Sequence, residues 1–576
     1  MSVFFNGRLI VSPATASIID DSALDPQSPS IGNNVILIGR AAGGQPKTVL
    51  RYGSPGEAAR DLASGELLDA VRTAFDPSPE TGGPFTVYAI RVDNAVQAQG
   101  ALKDAAGDDV INLTSSNYGA RENAIQYAID PGSYSGLRIT TKRGTDYYTT
   151  DNVQRRAFSV VYTGAETDPV KLTVSNLALT IDMPAGGQEV INLVQFPTII
   201  DLVDRLNSIA DIEAGVLDSS ANAPALNGLD AVDAVNINGS LVEVTANLQA
   251  VIDWINSPAQ DFVTAERVIG ASKPPAPCSG YMAGGSDGLT TFDDWAASFE
   301  VAQDADAQWV APISGDPAIH ALADTHADYM SNVAMKERRV VCGSDLNTTD
   351  MQAINMARAL NSARTSLVHI GHYNYNPQGA LTLYPPYITA ALLVGAFSGV
   401  NPGTPLTNKA IKVRGLERYL RNPTDTDVLI TGGVLCVEKA DAGVFKVVKS
   451  ITTWLNDRNF NKVEQSVGMA TDYVARSMRK SLDVLRGSKA SPITLQRAIS
   501  IADSTLRELA RPEPQGMGVI VGDTKSPAYK NIQAQIDGDA LRVQFECSPA
   551  LPTNYVLISI FATPYSGSAS ATATAS

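Results

Sequence analysis

Residues 35–92 carry the pattern that most restricts the fold. Val35-Ile-Leu-Ile-Gly39 is a short, wholly apolar run, of the kind a strand covered on both faces shows. Gly43-Gly44 marks a loop. Ser54-Pro-Gly-Glu57 has the form of a helix start, with a capping Ser, Pro at the first helical position and Glu at the third. The helix predicted from there turns Ala58, Ala59, Leu62, Leu68, Val71 and Phe75 inward, and Gly65 is its expected break. Phe85-Thr-Val-Tyr-Ala-Ile-Arg-Val92 is a second buried strand. Strand, helix and strand at this spacing make a βαβ unit, so a parallel sheet is expected.

The texture changes between about residues 95 and 279. Asn, Asp, Gly and Ser are frequent, and short alternating runs such as Leu137-Arg-Ile-Thr140 and Val170-Lys-Leu-Thr-Val174 predict strands. One or two β-rich insertion domains are expected here, ending at Pro274, Pro275 and Pro277. The α/β pattern then resumes. Thr291-Phe-Asp-Asp294 resembles a helix N-cap with acidic first-turn residues. Trp309-Val-Ala-Pro, Arg339-Val-Val-Cys342 and Ser366-Leu-Val-His-Ile370 read as strands between helices. Further strands are predicted at 427–430, 444–451 and 555–561, and a period-2 strand at 541–547. An amphipathic helix is predicted over 494–511, with Leu495, Ala498, Ala502, Leu506 and Leu509 on one stripe.

The fold class expected is mixed α/β (α+β), multidomain. Residues 31–94 with 280–375 form a middle α/β domain. Residues 95–279 form the outer insertion, and 376–565 a last domain with its own terminal arm. Residues 1–30 read as an arm, because Pro13, Pro26 and Pro29 forbid a long helix and Val3, Phe4, Phe5, Leu9, Ile10 and Val11 need a surface to cover them. Residues 566–576 hold only Ser, Ala, Thr and Gly and are expected to be a flexible tail.

Hydrophobic residues make up 44% of the 576 residues, enough for sizeable cores and incompatible with a disordered chain. The net charge of −16 disfavours nucleic acid, whose phosphates demand a basic surface. Cys278, Cys342, Cys436 and Cys547 stand more than 60 residues apart with no CxxC pair, which predicts free thiols and neither a zinc site nor a disulfide framework. The start lacks a basic region and a long apolar core, so no signal peptide is expected, and the longest apolar run, 388–400, is short of the ~20 residues a membrane span needs.

Catalytic and cofactor constellations are not found. His369 and His372 are three apart, but the first ends an apolar strand and the second sits in a loop without an acidic third ligand. His320 and His326 fall on a predicted helix and are expected at the surface. Gly284-Gly-Ser-Asp-Gly288 lacks the GxxxxGK[ST] spacing of a phosphate loop and reads as a turn. No GxSxG elbow follows a strand. An α/β enzyme would need one of these sets, so no enzyme and no cofactor is expected. One charge pattern stands out. Five basic residues and the single acid Asp483 lie between Arg476 and Lys489. At helical spacing Arg476, Arg479, Lys480 and Arg486 oppose Val467, Val474, Met478, Leu482 and Leu485. This strip reads either as a solvated helix face or as a dock for an acidic protein.

The order of these pieces resembles the tail sheath proteins of contractile phages, in particular the Mu-like and Gram-positive prophage branch. The matching pieces are Val35-Ile-Leu-Ile-Gly39, Leu67-Leu-Asp-Ala-Val-Arg-Thr-Ala-Phe75 and Val87-Tyr-Ala-Ile-Arg-Val92, then Asn117-Tyr-Gly-Ala-Arg-Glu-Asn123 and the Gly284-Gly-Ser-Asp-Gly288 loop. Tyr384-Pro-Pro-Tyr387, Pro405-Leu-Thr-Asn-Lys409, Thr431-Gly-Gly-Val434, Ile451-Thr-Thr453 and Asp472-Tyr-Val474 continue it. The resemblance spans 31–125 and 280–565 and leaves 126–275 aside.

The resemblance implies a sheath core of α/β sandwich modules with β-rich outer insertions and extended arms. It implies a subunit that polymerises helically around an inner tail tube and contracts on energy stored at assembly, driving the tube through the host envelope. The sheath of a tailocin or of a secretion-type contractile device is the alternative. Its implied partners are copies of itself, the tube protein, and baseplate and tail terminator proteins, with no direct nucleic acid and no membrane insertion. It would assemble in the host cytoplasm and end in the virion tail. The residues implied to exchange strands between subunits are Val3, Phe4, Phe5, Leu9, Ile10 and Val11 at one end and Tyr555, Val556, Leu557, Ile558, Ile560 and Phe561 at the other. The strip of Arg476, Arg479, Lys480 and Arg486 would face the tube.

Overall fold

The computed structural model describes residues 3–5, 8–10, 34–165, 169–440, 443–564 and 566–567. Val11 and residues 568–576 of the expected tail lie outside the described residues. The chain forms two compact units, one of Ile36–Thr73 with Thr86–Ala305, the other of Met1–Val35, Ala74–Phe85 and Asp306–Ser576.

In the first unit the expected strand forms as Asn34–Gly39 and its neighbour as Thr86–Arg91, with Leu50–Tyr52 antiparallel on the far side. Val35, Ile36, Leu37 and Ile38 have no solvent exposure, which explains why this run is apolar throughout. Between the strands run helices Pro55–Leu62, where the Ser54 side chain accepts from the Glu57 amide, and Glu66–Phe75. They break at Gly65, whose φ is +108° and where a Cβ would stand 3.2 Å from the Ala41 Cα, both of which suit only glycine.

The insertion has two separate hydrophobic cores. One gathers Ala98, Leu102, Ile111, Leu113, Ile125 and Ile139 with Leu248, Val251 and Ile255 and with Met282. Its sheets are Val263–Arg267, Asp109–Tyr118 and Gln97–Lys103, and Asp146–Val153, Leu137–Arg143, Ile125–Pro131 and Cys278–Tyr281. The other gathers Phe158, Val160, Leu172, Leu179, Ile181, Leu202, Leu206 and Val244. Each core is closed by a helix that the expected β-rich texture did not specify, Asn247–Ile255 and Ile199–Asn207. The second helix carries a capping box, Thr198 with Asp201.

In the second unit Trp309–Pro312, Arg339–Gly343 and Thr365–Val368 are adjacent parallel strands. The apolar run near 388–400 is helix Pro386–Ser398, every residue of which is buried. Gly343 lets this helix touch the sheet, since a Cβ there would stand 2.2 Å from the Pro386 carbonyl oxygen. Trp309 stacks on Phe397 at 4.5 Å between ring centroids. Burying either ring contributes about 2–3 kcal/mol. Among the described residues no helix is long and apolar enough to cross a membrane.

Helices Gln465–Leu482 and Pro492–Leu509 pack on each other and on a hairpin of Tyr529–Asp537 with Ala540–Cys547. Ala470, Tyr473, Val474, Met478, Ala502, Leu506 and Leu509 form their common core.

Several expectations need correction. Residues 427–430 lie in a helix, Thr426–Thr431, that buries Thr426 and Leu429. Tertiary burial of Leu429 outweighs the β-propensity of so short a segment. Of 444–451 only Phe445–Val447 is a strand. Residues 555–561 are not a strand in this chain. Among the described residues no ladder partner is recorded for this segment within its own chain. His320 and His326 are buried, at 0% and 6% exposure, because their helix, Pro317–Asn332, turns that face inward.

Candidate assembly surfaces

The C-terminal hairpin alternates half-buried and exposed residues. Tyr529, Ile532, Val543, Phe545 and Cys547 lean on the helix pair, and Lys530, Gln533, Arg542 and Gln544 face solvent. It is a two-stranded sheet, so among the described residues the outer edge of each strand has no strand partner. Beside it lies a groove of about 510 Å³, lined by Met478, Leu482, Leu485, Ile536, Leu541 and Phe545 among others. Both a free backbone edge and an apolar trough are therefore present together.

After the bridge between Ile520 and Pro549 the chain runs out as an extended apolar segment. Tyr555, Val556, Leu557, Ile558, Ile560 and Phe561 are 74%, 77%, 93%, 78%, 86% and 90% exposed. Large apolar side chains in so continuous a run are not left in water without a partner surface. The root of the segment is held: Asn554 Nδ2 donates to Glu464 Oε1 at 2.8 Å, and Lys449 Nζ lies 5.8 Å from the Tyr555 ring centroid. At the other end, Val3–Phe5 pairs with Arg8–Ile10 as an antiparallel ribbon, Val3 opposite Ile10, Phe4 opposite Leu9 and Phe5 opposite Arg8.

The basic residues of the expected strip differ in their surroundings. Arg476 is half-buried, its guanidinium 5.8 Å from the Tyr473 ring centroid, and burial pulls its pKa down against the pull of Asp472, Glu337 and Asp306. Arg479 pairs with Glu337 at 2.5 Å. Lys480 is exposed, and Arg486, 86% exposed in its side chain, pairs with the nearby Asp483 at 2.6 Å. Arg476 is thus the least exposed member of the expected strip. Beneath it lies a network that sequence inspection missed. Arg339 Nε donates to Asp472 Oδ2 at 2.8 Å and Arg364 Nη1 to the same oxygen at 3.2 Å. Two adjacent arginines, Arg338 and Arg339, at the start of an otherwise apolar strand were its only sequence signal.

The Gly284-to-Gly288 loop is a structural latch. Asp287 Oδ1 accepts from Arg91 Nη2 at 2.9 Å and from the Ala120 amide at 3.2 Å. Asp294 caps its helix and pairs with Lys47 at 2.7 Å, which holds its carboxyl well below the usual carboxylate range. His369 bonds Asp350 at 2.9 Å, and His372 Nδ1 lies 2.9 Å from Thr389 Oγ1. Among the described residues no group of three or more His, Cys, Asp or Glu is arranged to hold a metal ion. The four cysteines are free; Cys342 and Cys436 are buried and Cys278 and Cys547 half-buried.

The fold matches the crystal structure of a sheath tail protein from Listeria innocua with a TM-score of 0.56 at 13% identity, covering 92% of this chain and 95% of that one. A sheath tail protein from Desulfitobacterium hafniense matches with a TM-score of 0.55 at 13% identity, over 93% and 96% of the two chains. The class defined is thus the sheath tail fold. In sequence the chain is 29% identical to the tail sheath protein of Bacillus phage SP01, over 98% of both chains. It is 23% identical to that of Staphylococcus phage Twort, over 83% of this chain and 86% of the other. No model of a known protein family matches the chain. The chain is thus similar over its length to the tail sheath proteins of phages of Gram-positive hosts. Tail sheath proteins are structural components of the virion.

Proposed function

We propose that copies of this chain polymerise helically around an inner tail tube and that the resulting sheath contracts, driving the tube through the host envelope on energy stored at assembly. The observation that carries this reading is the exposed run from Tyr555 to Phe561 in a chain that also bears a two-stranded hairpin with free outer edges. A neighbour's arm laid along the hairpin gains backbone hydrogen bonds, and its apolar side chains fill the groove at Leu482, Leu485 and Phe545. The hairpin needs two such strands to cover both edges, and the segments 3–10 and 555–561 of two neighbours are the natural donors. Each copy then gives and receives through different surfaces, which generates an open helical lattice and not a closed ring.

Strand exchange also suits contraction. Backbone pairing keeps copies joined while the two compact units move as bodies. Lys480 and Arg486 are the basic side chains of the strip best placed to meet an acidic tube surface, with Arg479 contributing where Glu337 releases it. Baseplate and terminator proteins would cap the two ends, and assembly would take place in the host cytoplasm. The subunit works without catalysis or cofactor on this reading. Residues 31–94 with 280–375, 95–279 and 376–565 remain the proposed division into structural domains within the two units.

Electron microscopy of the purified chain tests the reading. The full chain should form long hollow cylinders, and a chain ending at residue 550 should remain unpolymerised though folded. Normal cylinders from the truncated chain would overturn it.

A further inference from the structure

The root of the C-terminal arm contains two buried oxygens that lack a hydrogen. Glu464 is 1% exposed. Its Oε1 accepts from Asn554 Nδ2 at 2.8 Å and stands 3.5 Å from Lys449 Nζ. Among the described residues its Oε2 is buried with no hydrogen-bond partner, and so is Asn554 Oδ1, on the other arm of the same amide. An ionised carboxylate next to an amide oxygen leaves two acceptors facing no donor in a place sealed from water. Each such orphan costs about 1–3 kcal/mol.

A single proton removes both defects. A carboxylic acid and a primary amide form a cyclic pair when the amide N–H donates to one carboxyl oxygen and the other oxygen's O–H donates to the amide oxygen. The first of these bonds is present. We propose that Glu464 is a protonated carboxyl in the folded subunit, and that its acid–amide pair with Asn554 is a proton-operated latch fixing the direction in which the C-terminal arm leaves the body. The proposal rests on the reading of residues 555–561 as an exchanging arm.

The surroundings support the protonated form. Burial raises the Glu464 pKa, and the opposing pull of Lys449 and the Asn554 hydrogen bond is the smaller effect. Lys449 is the charged group that faces the carboxyl, with its side chain 21% exposed, and it also lies over the Tyr555 ring. Glu464 caps helix Gln465–Leu482 and bridges Ile451, so the latch joins the arm to the helix that carries the groove. A carboxyl whose folded pKa is raised is neutral below that pKa and charges above it. The latch is therefore closed at lower pH and opens as pH rises, when Glu464 turns to Lys449 and releases Asn554.

The test uses the unpolymerised full chain as wild type, Glu464→Gln and Asn554→Leu. Gln supplies an N–H where the proposal puts the carboxyl O–H, so Glu464→Gln should keep the arm root closed at every pH. Infrared spectra of the wild type below the transition should show the carbonyl stretch of a buried protonated carboxyl, missing in Glu464→Gln. Hydrogen exchange over residues 551–556, corrected for intrinsic rates, should speed about tenfold in the wild type as pH rises through the transition, the equivalent of one lost hydrogen bond. It should stay slow in Glu464→Gln and fast in Asn554→Leu at all pH values. Absence of the infrared band, or the same pH profile in Glu464→Gln as in the wild type, would overturn the latch. Cylinder formation is scored separately. Cylinders from a chain truncated at residue 550 would overturn the arm reading, whereas the infrared and exchange results report on Glu464 whatever the arm docks on.

Discussion

Arg91 has no solvent exposure, and its Nη2 donates to Asp287 Oδ1 at 2.9 Å across 196 residues of chain. The same guanidinium reaches Asp93 Oδ2 at 3.2 Å and the carbonyls of Gly44 and Tyr118 at 3.2 and 3.1 Å. The strand that leads into the insertion is thereby tied to the Gly-rich loop that leads out of it. Every donor of a buried guanidinium needs an acceptor, and this one collects them from four stretches of the chain.

Replacing Asp287 by Ala should loosen this closure. The Asp287 side chain is 47% exposed, so solvent already weakens the pair, and a loss of about 1–2 kcal/mol is expected. Arg91→Met should cost more, since it strands the buried Asp93. Denaturant midpoints of the two variants, compared with wild type, check the order.

Asp472 is the shared acceptor of Arg339 and Arg364, and the Arg339 and Asp472 side chains are only 6% and 12% exposed. Asp472→Ala leaves two guanidinium groups without their carboxylate and should destabilise the unit by about 3–5 kcal/mol. A fall of the melting temperature by only a degree would contradict this.

Arg476 and Lys480 should behave differently when reversed to Glu. Arg476→Glu sets a new carboxylate in the neighbourhood of Asp472 and Glu337 and should lower stability by about 3–5 kcal/mol. Lys480→Glu with Arg486→Glu should leave the monomer's melting temperature unchanged and reduce the fraction of extended sheaths attached to tubes. Unchanged tube attachment would remove the tube-facing role.

The insertion should be divisible. Residues 157–246 form a core of their own, entered and left at Arg155 and Ala246, where the Ala246 amide donates to the Arg155 carbonyl at 2.8 Å. Replacing 156–246 by a short Gly-rich turn should spare folding and polymerisation. Excision of the whole segment 126–275 removes Ile129, Ile139, Leu248 and Val251 from the other core and should leave an insoluble chain. Electron microscopy of both deletions tests the distinction.

Acid should destabilise the second unit before its carboxylates titrate. Burial pushes the His372 pKa down to about 4 and lowers those of His320 and His369. A histidine depressed in the fold takes up its proton first in the unfolded chain. Stability is therefore whole above pH ~6.5 and falls as pH drops toward 4. His372 alone should account for about 3 kcal/mol of that fall. His372→Gln should flatten the pH dependence of the denaturant midpoint between those limits.

The parts of the fold legible in the sequence were those governed by neighbours along the chain. Residues 35–38, 87–90 and 340–342 announced buried strands because the sheet is covered there, so no charged residue interrupts them. Ser54, Thr291 and Gly65 marked helix starts and a break through bonds and φ angles that reach only a few residues. The arm residues 555–561 stood out as apolar. What they do in the isolated chain was not legible, because a lone strand and an unpaired extended segment have the same composition.

The sequence by itself determined which segments could be strands, helices, caps and apolar arms, since propensity and periodicity act over one or two turns. It also carried the order of motifs that marks the family. Only the tertiary structure decided that His320 and His326 lie inside, that residues 427–430 coil into a helix, that Arg476 turns inward, and that Glu464 meets Asn554. Each of these depends on what a distant segment brings to the same place, and the cost of an uncovered charge or an unmet hydrogen bond is settled there and not along the chain.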